Sequence, residues 1–321
     1  MSDSIEQYFK PITHAFLDKE WVEGFTVYYK SVDGSKTSYL TFAQYTPEDY
    51  TRLEKIMKEG DRQDFFIHEN DLIRYYRQCA LVRLRENLDK EKLNPLEVVR
   101  RTYPVIRRIL SDYLEFDTSP RMLRAMDELP DILCPVFQYE NIPFPALAGV
   151  TFKDSLVETH CTNIGMYSLY FGKVLDLSDK DLRDIFLGGL FSDIGKKNFS
   201  EEIKTKTELT EEDWSIIRKH PSSGRKILND MKCYSENVLR MVVEHHENFD
   251  GSGYPFGLAN EKISVNGRVS RILDVFDSMT SERTYRKPIK IVDALTQIKD
   301  RMEGHFDPRL LTALFKSFTH S

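Results

Sequence analysis

Two adjacent histidines, His245 and His246, stand directly before Glu247-Asn-Phe-Asp-Gly251-Ser-Gly253-Tyr254-Pro255. The preceding run, from about Ser235, carries Val238, Leu239, Val242 and Val243 at helical spacing. Gly251 and Gly253 permit positive φ, and Pro255 stops a helix from resuming at once. A pair of imidazoles is therefore expected at the last turn of a helix, before a rigid, shaped loop. An exposed His pair at a helix C-terminus, where positive charge is favoured, would read the same way. Four more residues of metal-ligand type lie elsewhere in the chain: His160, Asp193, His220 and Asp274. Imidazole and carboxylate without thiolate suit iron, manganese or zinc better than calcium or copper(I). Six such groups can hold two ions, with one carboxylate bridging. Two ions roughly 3.5–4 Å apart can bind the oxygens of a phosphate and generate a hydroxide nucleophile. Spacing alone does not select these six from the other polar residues.

The elements that must position them are helices. Ile164, Tyr167, Phe171 and Val174 recur at helical spacing, and His160 lies one turn before Ile164. That place equally suits a core histidine. Leu182, Ile185, Phe186, Leu190 and Phe191 build the next helix, which delivers Ser192-Asp193-Ile-Gly195-Lys196. An aspartate after so apolar a helix is costly to bury unless a positive group meets it. Thr210-Glu-Glu-Asp213 is a capping-box start for a helix expected to reach Lys219-His220-Pro221, so His220 is expected to end a helix. From Asn266 to Thr280 the apolar stripe is Val265, Val269, Ile272, Phe276 and Met279. By that wheel Asp274 falls on the polar side and is expected in solvent. Around it Arg268, Arg271, Arg283, Arg286, Lys287 and Lys290 face Asp274, Asp277 and Glu282, six cations against three carboxylates. Such an excess could receive phosphates, and a solvated helix face would look similar.

The rest of the chain sets bounds. Its 321 residues suggest about two domains, and 40% apolar with 30% charged residues is ordinary for a globular protein. A net charge of −6 argues against non-specific binding to long nucleic acid. No apolar run approaches the ~18 residues of a membrane span, and the N-terminus lacks a signal-peptide order. Cys79, Cys134, Cys161 and Cys233 are widely spaced and read as reduced cytoplasmic thiols. Toward the N-terminus, 25–30 and 38–43 read as strands joined at Val32-Asp33-Gly34-Ser35, a hairpin signal. A helix from Pro47 to Lys58, a short strand at 64–68 and a helix from Asp71 to about Leu88 complete a β-β-α-β-α order. Leu72, Tyr75, Tyr76, Cys79, Val82 and Leu84 are its expected inward side. Residues 1–92 thus read as a small mixed α/β regulatory or accessory domain, and 93–148 as a helical linker region. Two prolines and a glycine within 141–149 mark the boundary.

From about Gly149 to Leu311 the chain resembles the HD-GYP domain, an all-helical bacterial hydrolase family acting on cyclic di-GMP. The match runs in order through His160, Ser-Asp-Ile-Gly-Lys (192–196), Lys219-His220-Pro221 and His-His-Glu (245–247). It continues through Asp-Gly-Ser-Gly-Tyr-Pro (250–255), Arg268, Asp274-Val-Phe-Asp, Arg283-x-Tyr285-Arg286 and Gly304-His-Phe-Asp-Pro308. The resemblance implies an α+β protein overall, with an HD-GYP domain over 149–321. It implies a metal-dependent phosphodiesterase that opens cyclic di-GMP to linear pGpG and onward to GMP, with two divalent ions, iron or manganese. Asp193 would bridge them, His220, His245 and His246 would complete one site, and His160 and Asp274 would belong to the other. Lys196, Arg283 and Arg286 take positions associated with phosphate contact, Asp193 and Lys196 with catalysis, and Tyr254 sits in the loop beside the pocket.

Three departures bear on activity. Ser192 replaces the histidine of the family's HD pair, and a neutral hydroxyl is a poor ligand for a divalent ion. The site of His160 and Asp274 is therefore expected to be under-occupied and the activity impaired. Leu156 stands where some members carry a glutamate for a third ion. Lys197-Asn-Phe-Ser lacks the Ile-Pro usual in this loop. The alternative is a degenerate domain that binds a cyclic dinucleotide or a protein partner without hydrolysis.

Overall fold

The computed structural model describes residues 8–12, 26–33, 36–43, 65–90, 93–116, 119–206, 208–282 and 287–319. The chain divides into two compact units, Met1–Lys92 with Glu115–Ala125, and Leu93–Leu114 with Met126–Ser321.

In the first unit, β1 (Phe9–Ile12), β2 (Val27–Asp33), β3 (Lys36–Ala43) and β4 (Phe65–His68) form an antiparallel sheet of order β1-β4-β2-β3. The hairpin was expected, and Asp33 pairs with Lys36 where the two strands meet. Strand β1 was not expected: its Phe9-Lys-Pro-Ile sequence is too short to show alternation, and tertiary pairing with β4 creates it. The helix expected over 47–58 lies outside the described residues. After β4 the chain is helical through α1 (Leu72–Tyr75), a π-helical turn (Tyr76–Ala80) and α2 (Leu81–Lys90). Leu72, Tyr75, Tyr76 and Leu84 face inward as expected, but Val82 is 41% exposed and Ala80 and Leu81 are buried instead. The π turn adds a residue to one turn and so rotates the buried face past Val82. Cys79 lies where side chains are not described.

The second unit is helical. Helix α3 (Pro95–Glu115) opens with proline at its first position, and the Asn94 carboxamide accepts from the Glu97 amide at 2.9 Å. It buries Val99, Tyr103, Ile106, Leu110 and Tyr113. Helices α4 (Leu129–Tyr139) and α5 (Phe144–Val150) follow, and the core is built from α6 (Val157–Val174) and α7 (Asp179–Leu190). Beyond it come α8 (Glu201–Thr205), α9 (Glu211–Ile217), α10 (His220–Met231), α11 (Glu236–Glu244), α12 (Val265–Thr280), α13 (Ile291–Arg301) and α14 (Pro308–Thr319). Helix α7 packs against α6 and α11, and α12 packs against both α6 and α11. Ile185, Phe186, Leu190 and Phe191 are fully buried at this junction. Each such side chain contributes roughly 1.5–3 kcal/mol relative to exposure. The expected capping box at Thr210 and Asp213 is present at the start of α9.

Candidate metal centre

Asp193 is carried past the end of α7 by a turn that leads into the 3-10 helix Ile194–Asn198, and it is buried. Gly195 presses this turn onto α10, since a Cβ there would collide with the His220 carbonyl oxygen and the Gly224 amide. His220 begins α10 rather than ending a helix as the sequence suggested. Helix α9 stops at Ile217, and Pro221 fits the first turn of the next helix because its φ is fixed near the helical value. His245 caps α11 and His246 follows it, so the adjacent pair does sit at a helix end.

Hydrogen bonds fix both ring orientations. His220 Nδ1 donates to the Ile217 carbonyl and His245 Nδ1 to the Val242 carbonyl, each at 2.7 Å. A carbonyl only accepts, so each neutral ring presents Nε2 as a lone pair. These Nε2 atoms lie 3.1 Å apart, and 3.0 and 3.6 Å from Asp193 Oδ1. Asp193 Oδ1 is buried without a hydrogen-bond donor. Three lone-pair atoms facing one another with no proton between them fit a cation. With His246 included, the four residues bring ligand atoms within 4.8 Å of one another. Nitrogen and carboxylate donors of this kind fit iron, manganese or zinc.

The remaining two candidates join this cluster. His160, on α6, places Nε2 3.3 Å from Asp274 Oδ1 and 3.8 Å from Asp193 Oδ2. Asp274 Oδ2 lies 3.4 Å from His246 Nδ1. Asp274 is only 7% exposed, against the expectation of solvent. The wheel gave α12 one buried face, but α12 is surrounded, and Arg268, Ser270, Asp274 and Asp277 are buried with its apolar stripe.

Charges are arranged accordingly. Burial pushes the Asp193 carboxyl up, but the Lys196 ammonium, 2.6 Å from Oδ2, leads the opposing causes, and the group is held well below the ordinary range. Burial likewise acts on Asp274, and His246 and His160 reverse it. Burial lowers His220 and His246, with the neighbouring imidazoles adding to the effect at His246. Burial therefore favours the neutral ring at His220 and His246 while Asp193 and Asp274 stay ionised, the protonation states a metal requires.

The roles of two residues around the centre, Asp277 and Arg271, escaped sequence reasoning. Asp277 Oδ2 is 2.7 Å from His160 Nδ1, and its Oδ1 accepts from Asn163 at 2.7 Å and Ser281 at 3.1 Å. A carboxylate one turn beyond Asp274 was the available signal, because ligating histidines need a partner for the other ring nitrogen. Arg271 Nη1 pairs with Asp274 Oδ2 at 3.0 Å. Ser192 Oγ donates to the Gly189 carbonyl at 3.0 Å.

The Asp-Gly-Ser-Gly-Tyr-Pro loop is pinned from below. Glu247 accepts from the Phe256 and Leu258 amides at 2.7 and 3.0 Å, and the Phe249 amide donates to the His305 carbonyl. Arg268 Nη1 meets Asp307 at 2.5 Å, which accounts for those two motif positions as a brace. Gly251 has φ +86°, as expected, whereas Gly253 is required for close approach: a Cβ would collide with the Asn248 amide and Glu247 Cα. The Tyr254 ring stacks on His246, centroids 4.7 Å apart. A pocket of about 450 Å³ opens here, lined by Trp214, Arg218, His246, Asn248, Tyr254 and Arg271. A larger concavity of about 520 Å³, around Ile142, Tyr170, Val174 and Lys316, contains none of the candidate ligands. Arg283 and Arg286 lie outside the described residues.

Residues 147–310 match the family described as HD domain. The chain is 32% identical over 194 residues to the cyclic di-GMP phosphodiesterase PA4108 of Pseudomonas aeruginosa, covering 60% of this chain and 46% of that one. It is 32% identical over 226 residues to the cyclic di-GMP phosphodiesterase response regulator RpfG of Xanthomonas campestris, covering 70% of this chain and 56% of that one. It is 30% identical over 169 residues to 3′3′-cGAMP-specific phosphodiesterase 3 of Vibrio cholerae, covering 52% and 36%. The chain thus spans about half the length of these relatives or less. Among solved structures, Bd1817, a HDG"Y"P protein from Bdellovibrio bacteriovorus, superposes with a TM-score of 0.62 at 14% identity, covering 97% of this chain and 99% of that one, a likeness of fold.

Proposed function

Since this chain belongs to the HD-domain family, we propose that its His/Asp cluster is the centre of a metal-dependent phosphodiesterase acting on cyclic di-GMP or a related cyclic dinucleotide. The observation that carries this reading is the meeting of Asp193 Oδ1 with the Nε2 lone pairs of His220 and His245, buried and without a donor. Relatives named for cyclic di-GMP and for 3′3′-cGAMP support the substrate class. From cyclic di-GMP the products are linear pGpG and, after a second cleavage, GMP.

Divalent ions, iron or manganese, would supply Lewis-acid charge to the phosphate and lower the pKa of water. We assign Asp193 to both ions, His220, His245 and His246 to one, and His160 and Asp274 to the other, which is under-occupied. The remaining steps fall to the chain's own groups. Lys196 keeps Asp193 ionised and is placed to contact a phosphate oxygen. Tyr254, held against His246, forms a wall for the nucleotide, and Arg283 and Arg286 are assigned to its phosphates. Hydrolysis breaks the P–O3′ bond, water giving its oxygen to phosphorus and a proton to the departing 3′ oxygen. Residues 1–92 act as a regulatory or accessory domain, 93–148 as its helical connection, and 149–321 as the catalytic domain. Buried Cys134 and Cys161 are free thiols, which supports a cytoplasmic location. Among the described residues no helix is long and apolar enough to cross a membrane.

One observation favours a second reading. The hydroxyl of Ser192 is spent on the Gly189 carbonyl and is a weak donor to a metal in any case. A domain so depleted would bind a cyclic dinucleotide or a protein partner without cleaving it. Anaerobically purified protein, analysed for metal and assayed on cyclic di-GMP and 3′3′-cGAMP, decides between them. Turnover to a linear dinucleotide is expected. Binding without turnover by metal-replete protein would establish the second reading, and no binding to either would overturn the substrate class.

A further inference from the structure

Lys196 and Arg271 cover the Oδ2 atoms of the two carboxylates in the centre. Lys196 Nζ lies 2.6 Å from Asp193 Oδ2, and Arg271 Nη1 lies 3.0 Å from Asp274 Oδ2. Arg271 sits one turn before Asp274 on α12, with its side chain 16% exposed. A directional relay holds it there. Its Nε donates to Asn248 Oδ1 at 2.8 Å, Asn248 Nδ2 donates to Ser252 Oγ at 2.9 Å, and Ser252 Oγ donates to Asp250 Oδ1 at 2.6 Å. The Ser252 amide also donates to Asp250 Oδ1, at 2.9 Å. The guanidinium is thus tied to the loop that walls the pocket, and it carries its charge at any working pH.

The two halves of the centre consequently differ. Asp193 carries Lys196 on Oδ2 and turns Oδ1 to two histidines, His220 and His245. Asp274 turns Oδ1 to His160 alone, and its Oδ2 faces a guanidinium held in place by the Asn248 relay. An ion that shared the Asp274 carboxylate would meet a like charge a few ångströms away, in a partly buried setting where screening is weak. We infer that Arg271 is a built-in cation that keeps the His160 and Asp274 side of the centre weakly metallated, leaving one tight site at Asp193, His220, His245 and His246. The inference rests on the metal-dependent reading above and adds to it a residue that sets metal stoichiometry.

The test is calorimetric titration of the metal-stripped chain with Mn²⁺, alongside metal analysis after gel filtration. The wild-type chain is expected to retain one ion tightly and to take a second only weakly. Arg271→Gln removes the charge and keeps hydrogen-bonding reach. Its second ion should bind about 10–100-fold more tightly, the range typical of groups that surround metal ligands. Arg271→Lys should leave the second ion weak, which a merely structural arginine would not predict. Two equally tight ions in the wild-type chain, or an unchanged second affinity in Arg271→Gln with a native circular dichroism spectrum, would overturn the inference while leaving the metal-dependent reading intact. Should Arg271→Gln not fold, Asn248→Ala, which frees the guanidinium from its anchor, is expected to tighten the second ion, and no change there overturns the inference. No ion bound by any form would remove both.

Discussion

Asp277 Oδ2 lies 2.7 Å from His160 Nδ1, and this contact turns the His160 ring so that Nε2 faces Asp274 and Asp193. Asp277 is fully buried and is itself held by Asn163, whose Oδ1 accepts from Tyr103 OH at 2.5 Å. The chain from α3 through α6 to α12 is therefore continuous, and it fixes a ring that would otherwise have several rotamers and two tautomers.

Breaking that chain is expected to loosen metal before it unfolds the protein. Asp277→Asn keeps the shape but weakens the hold on the N–H of His160, and metal affinity should fall about 10–100-fold. Competition with a chelator of known affinity measures this. Unchanged affinity would mean that His160 is positioned by packing alone.

Acidification gives a second expectation. Burial lowers His220 and His246 from the ordinary 6.5, so near and below that value the unfolded chain binds protons that the folded chain does not. Unfolding then gains from protonation, so stability falls as pH drops through about 6.5. Asp193 and Asp274 act in the same direction but only near and below their ordinary 3.8. Metal-free protein should therefore melt at a lower temperature at pH 5.5 than at pH 7.5, and His246→Gln should flatten that slope. A melting temperature that rises on acidification would refute the assignment of neutral imidazoles.

Much of this centre could be read from residue order, and the parts that could not share a physical cause. The six ligand candidates come from five segments far apart in sequence, so only the ordered motifs, not spacing, singled them out. Asp274 was placed in solvent because a helical wheel assumes one buried face, and α12 is enclosed on nearly every side. His220 was put at the wrong end of a helix because the same residues can close one helix or open the next, and Pro221 decides for the opening. Asp277 offered only its place one turn beyond Asp274 as a signal, and Arg271 offered none, since both roles exist through contacts made across helices or with the loop. Strand β1 likewise exists through its pairing with β4.

Gly195 offers a test of how the centre is assembled. A Cβ there would meet the His220 carbonyl and the Gly224 amide, backbone atoms that cannot rotate away. Gly195→Ala should force the Asp193 turn off α10, destabilising the domain by about 1–3 kcal/mol. Because the shift separates Asp193 from His220, metal affinity should drop in the same variant. Denaturant melts with and without Mn²⁺ report both, and a variant that is destabilised yet binds metal normally would show that the turn can move without disturbing the ligands.

Ser192 is the residue that tests the proposed activity most directly. It is buried, its hydroxyl is bonded to the Gly189 carbonyl, and its nearest side-chain neighbour among its hydrogen-bonding contacts is Cys161, with Sγ at 4.0 Å. If the domain is an enzyme limited by a depleted site, Ser192→His should add a donor beside His160 and Asp274. Metal content should then rise toward two ions per chain and turnover should rise with it. Changes around metal ligands alter affinity or activity about 10–100-fold, and a restored ligand should do at least as much. His246→Ala should abolish whatever activity exists, because it removes a ligand from the site expected to be complete. Both variants are to be compared with the wild-type chain in one metal-replete, oxygen-free buffer on cyclic di-GMP. Should Ser192→His fill the second site and still hydrolyse nothing, lost metal is not what silences the domain. The Lys197-Asn-Phe-Ser segment, which follows Lys196 directly, then becomes the cause to pursue, and the non-catalytic reading replaces the enzyme.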